Sequence, residues 1–132
     1  MSKKKLPDYR LKQKILYIDK TPPETLARYG DLYLEENIPS DALDFYLKAR
    51  HTAGLQKIQE SALQSGDAFL FQRAAKALNT DPGSMEWEAV GRRALENHKF
   101  CFAQYALEKS KNKELIDRLA QTMKAEAAEK HP

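Results

Sequence analysis

A chain of 132 residues is long enough for one ordinary domain with a usable core and too short for two independent ones. Hydrophobic residues make up 42% and charged residues 31%, which is too apolar for a disordered chain and too broken for a membrane span of about twenty apolar residues. A soluble chain is expected; the formal charge of +3 is too small by itself to imply nucleic acid, and a single cysteine, Cys101, excludes an internal disulfide framework and a cysteine-based metal cluster.

Amino-acid usage sets the fold class as all-α. Val90 is the only valine, isoleucine is scarce, and alanine and leucine dominate, so strand formers are lacking and helix formers abundant. No apolar stretch or small-residue cleavage site follows Met1-Ser2-Lys3-Lys4-Lys5, so the start does not read as a secretory signal and a cytoplasmic location is the expectation.

Residues 1–20 form a basic arm: Lys3, Lys4, Lys5, Arg10, Lys12, Lys14 and Lys20 stand against Asp8 and Asp19, which leaves the rest of the chain net acidic. The run Ile15-Leu16-Tyr17-Ile18 is too short to stand alone and is expected to dock on the first hairpin, with a short edge strand as the weaker alternative. Thr21-Pro22-Pro23-Glu24 reads as a helix start with Thr21 as N-cap and Glu24 closing a capping box. The first helix is expected over about 22–36, with Leu26, Tyr29, Leu32 and Tyr33 on one face. Asn37-Ile38-Pro39-Ser40 breaks the pattern, with Ser40 as the capping residue, and Ala42, Leu43, Tyr46, Leu47 and Ala49 form the apolar face of a second helix.

A third helix carries Leu55, Ile58, Ala62 and Leu63, stops at Ser65-Gly66-Asp67, and hands over to a fourth carrying Leu70, Phe71, Ala74, Ala75 and Leu78. Asn79-Thr80-Asp81-Pro82-Gly83-Ser84 is the strongest punctuation, ending in Ser84 as N-cap with Glu86 and Glu88 in the next first turn. A fifth helix takes Trp87, Val90, Gly91, Ala94 and Leu95, and a sixth Phe102, Ala103, Ala106 and Leu107. Leu115, Ile116, Leu119, Ala120 and Met123 make a final apolar stripe suited to a terminal helix closing a stack. The repeat domain is expected over 21–124, with 125–132 as a fraying tail.

Leu26, Leu55 and Trp87 occupy corresponding points of the first helix in each pair, giving a period near thirty. With Tyr29-Gly30, Tyr33, Ala42, Tyr46 and Ala49 in the first hairpin, and Val90-Gly91, Ala94, Ala103 and Leu107 in the third, residues 22–110 resemble the tetratricopeptide repeat family. The middle hairpin departs from the pattern at Ile58-Gln59 and at Phe71 and Ala75, and Ser110 stands where a small apolar residue belongs. The resemblance implies three stacked helical hairpins in a right-handed α-solenoid with a C-terminal capping helix. Gly30 would let the paired helix approach closely, which outweighs the roughly 1 kcal/mol that glycine costs inside a helix.

The resemblance also implies a concave face on the first helices, with a leucine row (Leu34, Leu63, Leu95) among charged residues. The partner-binding positions it points to are Asp31, Leu34, Glu35, Glu60, Gln64, Glu88, Arg92 and Glu96, an acidic set fitted to a basic or amphipathic protein or peptide segment. Any one of these charges taken alone is more often a solvated helix residue than a contact. The function expected is therefore a non-enzymatic interaction scaffold or adaptor, binding by this face or by exposed solenoid ends, with a homo-oligomer allowed.

The arm admits three uses: binding an acidic surface such as nucleic acid or anionic lipid, lying across the acidic face in its own or a neighbouring chain, or serving as a solubilising tail. Nucleic acid is the alternative function and ranks below protein, because no aromatic stacking platform is interleaved with the lysines. No nucleophile with a base and no phosphate loop assembles in the sequence, and no cofactor is called for. His51, His98 and His131 lack metal-ligand spacing and read as surface or hairpin-turn residues, and Cys101 reads as a structural thiol rather than a reactive one.

Overall fold

The computed structural model describes residues 6–130, and the side chain of Lys130 is outside the described set. The expected Lys3-Lys4-Lys5 cluster and His131 therefore lie outside the described residues. Among those described there is no strand, and the helices run in the order α1 (Tyr9–Gln13, continued by a π-helical turn, Lys14–Ile18), α2 (Pro23–Glu35), α3 (Pro39–Ala49), α4 (Thr52–Ser65), α5 (Ala68–Ala77), α6 (Ser84–Glu96), α7 (Phe100–Ser110) and α8 (Lys113–Lys130). The chain forms two compact units, residues 1–58 and 59–132, and the division falls inside α4.

The helix ends share one device. Asn37, Arg50, Gly66, Asn79, His98 and Lys111 all sit in the left-handed region, with φ between 53° and 76°. At Asn37 the amide donates to the Leu34 carbonyl (3.0 Å) and the next amide, Ile38, to that of Tyr33 (2.8 Å), which is the Schellman arrangement that satisfies the last carbonyls of a helix. The same pair of bonds recurs at Arg50, Gly66, Asn79 and His98. The stops at 37, 66 and 98 follow α2, α4 and α6, and those at 50, 79 and 111 follow α3, α5 and α7, always 13 residues later. The stops after α2, α4 and α6 are 29 and 32 residues apart, the same spacings as Leu26, Leu55 and Trp87.

Helix starts differ from the sequence expectation. Pro22 and Ile38, neither offering a side-chain bond, precede α2 and α3. Thr21 instead donates its hydroxyl to the Ile15 carbonyl (3.0 Å), tying the π turn to the entry of α2, and Ser40 falls inside the first turn of α3. Ser84 is the first residue of α6 rather than its cap. At α5 the cap is Asp67, part of the stop expected for the preceding helix, accepting from the Leu70 amide at 3.0 Å. At the far end α8 continues to Lys130, beyond the stop expected at 124.

In the first unit α3 is covered from several sides. Phe45, which the apolar stripe did not include, is fully buried and its ring lies 5.5 Å from Tyr29 and 5.3 Å from Tyr33 of α2. Tyr46 is fully buried against two glycines: a Cβ on Gly30 would stand 2.6 Å from its Cε1, and one on Gly54 would stand 2.5 Å from its Cδ1. Leu47, expected inside, is exposed. The arm's run docks as helix rather than strand, with Ile15 and Leu16 buried and Tyr17 and Ile18 exposed.

In the second unit Gly91 brings α6 against α7 at Leu107, where a Cβ would meet Cδ2 at 2.5 Å. Trp87 meets Phe71 and Tyr105 edge-on at 5.1 Å and 5.7 Å. Ala94, Ala103, Leu107, Leu115 and Leu119 close a core cluster shared by α6, α7 and α8. Ala120 and Met123, expected in the same stripe, are exposed.

Two substitutions test these devices. Gly30→Ala should destabilise the protein by about 1–3 kcal/mol through overpacking on the Tyr46 ring, despite the better helix propensity of alanine. Lys111→Gly, which relieves a left-handed side chain, should be neutral or stabilise by up to about 1 kcal/mol. Urea denaturation midpoints at constant m-value check both.

Candidate functional site

Of the eight positions expected to face a partner, Asp31, Leu34 and Glu35 belong to the first unit. Asp31 and Glu35 are four apart on α2, share one side of it and are exposed, and Leu34 is half-buried. Asp31 is not solely a surface charge: its Oδ1 accepts a hydrogen bond from the Tyr46 hydroxyl at 2.5 Å. Burial, then the Asp31 bond and the Asp31 and Glu35 charges, push the Tyr46 phenol well above its usual range, so it stays a donor.

His51 closes the same corner. Its ring stacks on Tyr46 at 5.2 Å, and its Nδ1 accepts from the Gly54 amide at 2.9 Å, capping α4. This is a turn histidine with a structural task. Gly54, without a Cβ, lets the start of α4 lie against the Tyr46 ring, while position 59, where the middle hairpin's small residue was expected, is Gln59.

Glu60, Gln64, Glu88, Arg92 and Glu96 belong to the second unit. Glu60 and Gln64 are exposed one turn apart on α4. Glu88, Arg92 and Glu96 follow one another up α6, but the outward face there is not open along its length. Glu88 accepts a hydrogen bond from the Asn112 side chain, whose Oδ1 in turn caps α8 at the Leu115 amide (3.2 Å). Arg92 Nε lies 3.7 Å from Glu88, and Glu96 pairs with Arg93 at 3.7 Å.

Leu95, expected in the leucine row, packs on the core cluster that includes Leu115 and Leu119 of α8. A cavity of about 200 Å³ remains between the two helices, lined by Arg92, Leu95, Glu96, His98, Leu115, Arg118 and Thr122. His98 is exposed in the α6–α7 turn with Nδ1 2.5 Å from Glu126 Oε1, so α8 is held to this face by a polar contact at each end. The structure thus ties Glu88 to the start of the terminal helix, while Arg92 and Glu96 line the cavity beside that helix and stay exposed.

The arm contributes what the sequence did not indicate. Lys12 is only 9% exposed, and its ammonium bonds to Asp41 Oδ1 at 2.5 Å and to Asp44 Oδ2 at 2.9 Å, both on α3. Through Lys12 the described arm therefore engages acids of α3. Asp8 caps α1 through the Leu11 amide (2.8 Å), and Tyr33 donates to the Pro7 carbonyl (3.3 Å). The only sequence signal was the placement of Asp41 and Asp44 three apart, which puts them on one helix face.

Cys101 is exposed at the start of α7 rather than packed as a structural thiol. Among the described residues, no group of three or more His, Cys, Asp or Glu side chains is placed to hold a metal ion, and no helix is long and apolar enough to cross a membrane. No family model matches the chain, and neither a curated protein nor a solved structure matches it.

Lys12 gives the site a definite pH response. Burial works to lower its pKa, but the hydrogen bonds and charges of Asp41 and Asp44 outweigh burial and hold it above the ordinary 10.5. A folded value above the unfolded one means that the contribution is complete below the unfolded value and is lost as pH rises through the folded one. Stability from this clamp should be flat through neutral pH and fall only in strong alkali. Lys12→Met, which takes the ammonium away from both carboxylates, should cost about 1–3 kcal/mol at neutral pH. Urea midpoints across an alkaline series should show a shallower decline for Lys12→Met than for wild type.

Proposed function

We propose that this chain is a non-enzymatic interaction scaffold of the tetratricopeptide-like kind, working without a cofactor in the cytoplasm and binding a basic or amphipathic protein segment. On this reading Asp31, Leu34 and Glu35 are the contacting residues of the first unit, and Glu60, Gln64 and Glu96 those of the second. Glu88 and Arg92 then act mainly by holding one another and the start of α8.

The observation that carries this reading is the regular recurrence of left-handed helix stops, 13 residues apart within each pair and about thirty between pairs. Such regularity fits a chain whose repeated units each turn back on themselves and so present the same outward positions. The outward positions Asp31, Glu35, Glu60, Gln64 and Glu96 are exposed, and complementary charge would steer a basic segment towards them before apolar contacts hold it. The Lys12 clamp weighs against nucleic acid, because it removes one arm cation and turns it inward.

Glu60→Lys with Glu35→Lys tests the reading without touching the Tyr46–Asp31 bond. Affinity recovery from the native host should yield a specific protein partner with wild type and lose it with the double variant. Recovery that is unchanged by the substitutions, or that disappears on nuclease treatment, would remove the acidic-face reading.

A further inference from the structure

We propose that the outer face of the N-terminal segment of the first unit docks on an anionic lipid surface. This does not rest on the acidic-face reading, since it uses other residues and the opposite charge. Among the described residues, five of the eight exposed large apolar side chains belong to this segment and the helix beneath it: Tyr9, Leu11, Tyr17, Ile18 and Leu47. Tyr9 is 76% exposed, Tyr17 66% and Ile18 75%, which is far more apolar area than the packing of a ten-residue helix requires.

The π turn creates this display. Its wide ring, closed by the Asp19 amide on the Lys14 carbonyl at 2.8 Å, sends Ile15 and Leu16 into the core while Tyr17 and Ile18 face outward. A π turn is uncommon and is found disproportionately at functional positions.

The charge around these side chains is biased in one direction. Arg10, Lys14, Lys20, Lys48 and Arg50 are all exposed there. Of the nearby acids, Asp41 and Asp44 are engaged by Lys12, and the two exposed acids on the segment, Asp8, which caps α1, and Asp19, are outnumbered by these five cations. Tyr17 and Leu47 also flank a cleft of about 320 Å³ lined by Lys48, Arg50 and Asp44, where the two cations, with Asp44 bonded to Lys12, offer a place for the phosphate or carboxylate of a headgroup. In sequence, Lys3, Lys4 and Lys5 precede this segment directly.

Protruding tyrosine and isoleucine side chains interleaved with lysine and arginine suit a deformable, negatively charged interface. The apolar groups enter the acyl boundary and the cations meet the headgroups. A rigid protein partner would need a matching hole for each protruding group.

The test is co-sedimentation of the full chain with vesicles of phosphatidylcholine alone and of phosphatidylcholine with phosphatidylserine in about a 7:3 ratio. The expected result is binding to the mixed vesicles at least about tenfold stronger than to the neutral ones, weakening with salt. Tyr17→Ser with Ile18→Ser, and separately Lys14→Glu with Lys48→Glu, should each reduce binding to the neutral-vesicle level with an unchanged circular dichroism spectrum. These side chains are exposed, so neither pair removes core packing. Equal binding to both vesicle types, binding unaltered by either variant, or no vesicle binding would overturn the proposal. Capture by immobilised poly-L-glutamate in the absence of vesicle binding would assign the face to an acidic protein instead.

Discussion

Each helix from α2 to α7 hands over to the next through a residue in left-handed backbone, and the amides that follow take up carbonyls that the helix leaves unpaired. That reversal fixes how soon the chain can turn back and hence which faces of successive helices meet. Only one of the six positions is glycine. Asn37 and Asn79 tolerate the conformation well, while Arg50, His98 and Lys111 each accept about 1–2 kcal/mol of steric cost. They hold it because the helices on either side are fixed by packing, so the local cost is outweighed.

Close approach follows from the turns. Once α2 and α3 are paired, a buried tyrosine fits only if the facing residues lack a Cβ, and Gly30 and Gly54 meet that need around Tyr46. Asp31 then takes the hydroxyl and His51 the ring face. One side chain thereby links α2, α3 and the start of α4, and a position that reads as a ligand contact also secures the core. The Lys12 clamp extends the same logic to the arm, where an ammonium that loses water gains two carboxylates in exchange.

These attachments sort the acidic residues by task. Asp31, Asp41, Asp44, Glu88 and Glu126 stabilise the fold through named partners, whereas Glu60 and its neighbour Gln64 remain at the surface. The first unit meanwhile combines a mildly acidic α2 face with an apolar and basic outer segment.

Helix content, the positions of most helices and the need for glycine at residue 30 were legible in the sequence, because apolar spacing, proline and glycine act locally. Gly66 announced its turn for the same reason, but Arg50, His98 and Lys111 did not, since nothing in those side chains favours left-handed backbone. The sequence by itself determined an all-helical chain, its near-thirty spacing and the exposed polarity of positions such as Glu60. Tertiary structure alone decided that Phe45 goes inside and Leu47 outside, that Lys12 turns inward, and that Glu88 and Leu95 lie under α8. Each of these depends on what a second helix brings within a few ångströms, and helical periodicity describes one helix at a time.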